Sequence, residues 1–293
     1  MKNAPALILL ALVTASLTCR APDRASPVGQ RPLGVFVTLM PQAYFVERIG
    51  GEHVSVSVLV QPGQSPHTFE LTPRQMTALS SSALFFTIGM PFEKTLVEKI
   101  RTELPHLTVA QADDGIEKRI MATHDHEHDS SAPDPHIWMS PPFLRTIAKN
   151  VANALRLADP DNAQDYAANL DAVLVEIDST DVRIRQILEP YEGSSFYVFH
   201  PAFGYFGDAY GLKQVAIETE GKSPTPKQLN GLIGRAKAEK VRIIFVQPQF
   251  DRKAAQAVAD AIGGAVIPID PLEKDVLRNL IEMAAKLEIA LTE

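Results

Sequence analysis

His67 and His200 each stand where an apolar, strand-like run gives way to a proline-marked turn, in Gln61-Pro62-Gly63-Gln64-Ser65-Pro66-His67 and in Val198-Phe199-His200-Pro201. His136 follows a rigid proline in Asp134-Pro135-His136-Ile137-Trp138-Met139, a stretch that holds the chain's one Trp. A carboxylate, Asp270, sits beside Pro271 at the end of a later apolar run. Three neutral imidazoles and one carboxylate make a complete four-coordinate shell, the set that suits Zn2+. Mn2+ takes more oxygen donors, and the order of affinities alone leaves Cu2+ and Ni2+ open. A closed shell has no place for an activated water, so such a site carries its metal rather than reacting through it. The sequence has no H-E-x-x-H, G-x-S-x-G or Walker A run, which argues against an enzyme.

Each residue also has a plainer role. A single histidine after a strand is usually solvated or satisfied in a core. Asp270 could instead cap the last helix. His124, His126 and His128 form a short acidic tract whose ordinary state is a solvated loop; weak collection of metal is its other role. Glu70 and Trp138 are expected to orient or cover the site rather than ligate.

The elements that must position these residues alternate between short β-rich runs and amphipathic helices, the pattern of an α/β protein with parallel sheets. Strands are expected over residues 34–39, 54–60, 83–88, 107–110, 194–199, 212–217, 241–246 and 265–269. Thr72-Pro73-Arg74-Gln75 and Thr225-Pro226-Lys227-Gln228 have the form of capping boxes with Pro at the first helical position. Asp159-Pro160 reads as a further cap. Beyond it Tyr166, Leu170, Val173, Ile177, Ile184 and Leu188 recur at helical steps, giving one helix of about eight turns with an apolar stripe. That helix is either packed within one domain or a strut between two lobes. In open parallel sheets ligands bind beyond the carboxyl ends of the strands. A site built from His67 in the first half and His200 and Asp270 in the second would therefore lie in a cleft between lobes, with His136 reaching it from the first.

The chain has 293 residues, 45% of them hydrophobic and 22% charged, enough for two cores. Its net charge of -7 argues against nucleic acid or anionic lipid as a partner. Lys2 followed by an apolar run over residues 4–17 reads as an export signal too short to span a bilayer. Cys19 is the one cysteine, which excludes an intramolecular disulfide and suggests lipid attachment after cleavage, although Ser16-Leu17-Thr18-Cys19 is a poor lipobox. The expected layout is a signal peptide over 1–19, a flexible tether over 20–32, a first metal-binding lobe over 33–160, a linking helix over 161–189 and a second lobe over 190–293.

Four segments, Pro66-His67-Thr68-Phe69-Glu70, Asp134-Pro135-His136-Ile137-Trp138-Met139, Val198-Phe199-His200-Pro201-Ala202-Phe203-Gly204-Tyr205-Phe206 and Ile269-Asp270-Pro271-Leu272, resemble the signatures of the zinc- and manganese-specific solute-binding proteins of ABC transporters (cluster A-I). The resemblance runs over nearly all of the chain after the tether. It implies two (βα)4 lobes joined by a long rigid helix, in a monomeric, exported protein, periplasmic or at the cell surface, that hands a metal to a membrane permease. It also implies that His67, His136 and His200 are ligands and that Asp270 takes the place of the C-terminal carboxylate. Manganese members typically carry Glu at the third position, so His200 resembles the zinc branch. The histidine tract is shorter than in many zinc members. The alternatives are a manganese or iron carrier on the same scaffold, a zinc-dependent hydrolase and a metal-binding adhesin.

Overall fold

A computed structural model describes residues 31–121, 132–218 and 225–292. The expected export signal, Cys19, most of the tether and the tract with His124, His126 and His128 lie outside the described residues.

The first half runs β1 (Leu33–Val37), α1 (Met40–Gly50), β2 (Val54–Val58), α2 (Pro73–Ser80), β3 (Leu84–Thr87), α3 (Glu93–Glu103) and β4 (Thr108–Gln111). Two helices follow, α4 (Pro141–Ala158) and α5 (Ala163–Leu188). The second half runs β5 (Ser195–Val198), α6 (Gly204–Ala209), β6 (Lys213–Ala216), α7 (Pro226–Ala238), β7 (Ile243–Val246), α8 (Lys253–Ile262), β8 (Ala265–Pro268) and α9 (Val276–Thr292). The strands form two four-stranded sheets, ordered β2-β1-β3-β4 and β6-β5-β7-β8, with every pairing parallel. The two orders correspond strand for strand, so the second half repeats the topology of the first.

Side chains on successive strand residues point to opposite faces, and both sheets use this to build two cores each. Val35, Val37, Leu84 and Phe86 of the first sheet enter the same apolar cluster as Phe196, Val198, Ile243 and Phe245 of the second. Phe36 and Phe85 face a separate cluster with Leu79, Leu96 and Ile100 of α2 and α3, and Tyr197, Ile244 and Val246 face a third with Ala236, Ala255 and Val258 of α7 and α8. The layer between the sheets, α1, α4, α5 and α9, is thus shared by both. The stripe on α5 is buried as its spacing predicts, at Tyr166, Val173, Ile177, Ile184 and Leu188, with Thr180 filling the gap and Leu170 half-buried.

Both Thr boxes form: the Thr72 and Thr225 hydroxyls accept from the amides of Gln75 and Gln228. Asp159 does not cap α5. Pro160–Asn162 makes a 3-10 turn first, and Asp159 Oδ2 instead accepts from Asn162 Nδ2 and the Tyr166 hydroxyl. Nor does Asp270 cap α9, where the Asp275 carboxylate accepts from the amide of Arg278.

Candidate metal centre

Each histidine is presented by a different kind of backbone. His67 lies in a 3-10 turn, Pro66–Thr68, between β2 and α2, with its amide donating to Ser65 Oγ. The turn packs through Phe69 against Phe92, ring centroids 5.0 Å apart. His136 opens a second 3-10 turn, Ile137–Met139, just before α4, and is 2% exposed. His200 follows β5, and its backbone is clamped by Gln247 past β7, whose amide oxygen accepts from His200 N (3.1 Å) and whose Nε2 donates to His200 O (2.7 Å). Among the described residues one nitrogen from each of these three histidines comes together in a group with every member within 4.8 Å of the others.

The tautomers decide what the group can do. His136 Nδ1 lies 2.7 Å from Asp134 Oδ1, and His200 Nδ1 lies 2.5 Å from Glu218 Oε1, all four side chains being buried. An ionised carboxylate only accepts, so each ring carries its proton on Nδ1 and a lone pair on Nε2. Those two Nε2 atoms face each other at 3.2 Å. Two lone pairs do not hydrogen-bond to each other; the arrangement is one that a cation between them would satisfy. Ligands about 2.0–2.1 Å from a tetrahedral zinc stand about 3.3 Å apart, which is the separation found here.

The electrostatics prepare the rings for a metal. Burial, and repulsion from the neighbouring imidazoles, lower the His67 pKa to about 3; the residue is exposed at its outer edge, with its ring turned to the other two. Burial also holds His200 below the ordinary value, against the opposing pull of Glu218. For Asp134 burial acts upward, but its hydrogen bonds from His136, together with Arg119, outweigh it and keep the carboxyl below the usual range. Phe250 stacks on the His200 ring and Trp138 leans on His136, while Trp138 Nε1 donates to Pro271 O.

Asp270, expected as the fourth donor, stands outside the group. Its Oδ1 accepts from Gln249 Nε2 and the amide of Leu272, each at 2.9 Å. Glu70, two residues after the His67 turn, is exposed. Asp134 and Glu218, by contrast, do not figure in the sequence expectations. Asp134 is two residues from His136, and Glu218 lies two residues past β6, as His200 lies two past β5.

A family model described as "Zinc-uptake complex component A periplasmic" matches residues 35–287. The chain belongs to this family. It is a zinc-uptake binding protein of the ABC-transporter type, not an enzyme, with three histidines at its metal site. The family relative from Bacillus subtilis (strain 168), "High-affinity zinc uptake system protein ZnuA", is 29% identical over 254 residues, covering 82% of this chain and 79% of that one. A solved structure, "Crystal structure of ZnuA", superposes with a TM-score of 0.83 at 36% identity, covering 89% of this chain and 99% of that one. The laminin-binding protein Lmb of Streptococcus agalactiae, whose structure is described as that of a bifunctional protein with adhesin and metal-transporting activity, has the same fold (TM-score 0.79) at 24% identity, covering 89% of this chain and all of that one. The fold therefore extends to proteins with other binding tasks.

Proposed function

We propose that His67, His136 and His200 hold Zn2+ as transported cargo, and that the protein delivers it to a membrane permease from outside the cytoplasm. The observation that carries this reading is the pair of Nε2 lone pairs 3.2 Å apart, each ring oriented by a buried carboxylate. Three nitrogens favour zinc over manganese, which takes oxygen donors. Asp270 contributes negative charge beside the site rather than a bond, since its engaged Oδ1 lies outside the ligand group. The fourth place on the ion then falls to water. Export, and attachment through Cys19, fit the apolar stretch at residues 4–17.

The test is metal content after purification without chelator, followed by competition between Zn2+ and Mn2+. One zinc per chain is expected, lost in His136→Ala, with Asp270→Asn reducing affinity less than about tenfold, below the effect of groups bonded to a ligand. A manganese preference would overturn the assignment of the metal. Loss in Asp270→Asn as complete as in His136→Ala would make that carboxylate a ligand.

A further inference from the structure

The residue whose carboxylate orients His136 is itself held from the opposite lobe, through its backbone carbonyl. Residues 119–121 and 132–134 run antiparallel, with Asp134 N donating to Arg119 O (2.8 Å) and Met121 N to Ala132 O (3.1 Å). Tyr205, in the first turn of α6, inserts its hydroxyl into this ladder. It accepts from Arg119 N at 3.0 Å and donates to Asp134 O at 2.8 Å. Burial raises the phenol to about 12, so it keeps the proton it donates. The Arg119 side chain turns back over α6. Its guanidinium lies 5.9 Å from the Tyr205 ring centre and donates to Asp208 Oδ2 at 2.7 Å. Gly204 leaves the space for it, because a Cβ there would sit 2.7 Å from Arg119 Nη1. One end of this arrangement is Asp134, bonded to the His136 ring; the other is α6, which starts four residues after His200.

We propose that Tyr205, bonded to both strands of the ladder at Arg119 and Asp134, is an inter-lobe clasp that positions His136 against His200 and sets the rate at which the metal leaves. The inference rests on the zinc-site reading above. Within the clasp the hydroxyl matters more than the ion pair. Tyr205 is 5% exposed, whereas the Asp208 side chain is 63% exposed, and exposed pairs contribute little. Nothing in the Tyr205 contacts touches the metal, so its role is positional.

The experiment compares Tyr205→Phe, Asp208→Asn and the unaltered protein, each loaded with one Zn2+ and challenged with excess chelator. Tyr205→Phe keeps the ring and its edge contact with Phe143 and loses both hydrogen bonds. Its release is expected to be about tenfold faster, the lower end of the effect of outer groups on metal sites. Asp208→Asn should release within about twofold of the unaltered chain, as befits an exposed pair. Release from Tyr205→Phe at the unaltered rate, with one Zn2+ bound and only the metal-free melting temperature lowered, would reduce Tyr205 to a structural residue and overturn the clasp. Failure of the unaltered protein to take up Zn2+ would instead overturn the reading beneath it. If Tyr205→Phe does not fold, amide exchange on the unaltered chain decides. Protection at the Arg119 amide, which donates to the Tyr205 hydroxyl, supports the clasp, and exchange there as fast as in an open loop overturns it.

Discussion

Two of the three imidazoles are aimed by carboxylates drawn from opposite lobes, Asp134 from the segment before α4 and Glu218 from the end of β6. A carboxylate on Nδ1 fixes the tautomer and makes Nε2 a better donor. Asp134→Asn and Glu218→Gln should therefore weaken Zn2+ binding by roughly 10- to 100-fold while leaving one ion bound per chain. Competition with a chelator of known affinity measures this, and wild-type affinity in both variants would show that the carboxylates serve the fold alone. The pH response follows from the same residues. His67 and His200 both have lowered pKa values, so in the folded metal-free protein they stay neutral below about 6.5, where a free imidazole protonates. An unfolded chain takes up protons there that the folded one refuses, so both groups cost stability as pH falls below about 6.5, His67 down to about 3. Glu93 acts oppositely. It is 3% exposed, and burial pushes its pKa to about 7 despite the Thr38 hydroxyl and the amides of Ile88, Gly89 and Met90 that it accepts from. The folded state then holds a proton that the unfolded chain releases between about 4.5 and 7, and stability falls as pH rises through that window. Glu93→Gln should accordingly steepen the acid-side loss of the metal-free protein. Thermal melts in chelator between about pH 5 and pH 7.5 read the slope, and an unchanged slope counts against a neutral Glu93.

At the scale of elements, what could be read from the sequence depended on whether the determining contacts were local. The Thr72 and Thr225 boxes involve residues three apart, and both form as their sequences predict. Replacing either Thr by Ala should cost about 1 kcal/mol, visible as a lowered denaturation midpoint with unchanged slope. An unaltered midpoint would mean the boxes add nothing beyond tertiary packing. The α5 stripe was equally legible, because its apolar spacing continues for the whole helix. Its start was not: whether Asp159 caps the helix or accepts from Tyr166 depends on a 3-10 turn that no residue type announces. α6 was missed for a related reason. Gly204 and Gly207 have poor helix propensity, and what favours them is the close approach of Arg119 at one and the Leu212 backbone at the other. The three histidines were legible because proline and strand ends flank them. The engagement of Asp270 Oδ1 was not, since its partner Gln249 Nε2 lies 21 residues away in the chain.

At the scale of the molecule, the shared helical layer decides how the lobes can move. One apolar cluster takes in the inward faces of both sheets and the buried sides of α1, α4, α5 and α9, Ile177 and Ile184 of α5 among them, so wide hinge opening would separate buried apolar surface. Exposing such surface costs about 25 cal/mol for each Å2, and opening would also break the buried hydrogen bonds from Tyr205 to Asp134 and from Trp138 to Pro271. Metal release should then begin at the element with the fewest such ties, while the Tyr205 clasp keeps His136 against His200 and limits the final departure of the ion. That element is the turn holding His67, which is exposed and anchored by Ser65 and by Phe69 against Phe92. A folded chain of this size has a radius of gyration of about 19 Å, and removing the metal should change it by less than about 1 Å. Small-angle scattering with and without Zn2+ measures the difference. A compaction of several ångströms on loading would mean that the central layer slides or splits, and that the ion is enclosed by movement of whole lobes instead of a single turn.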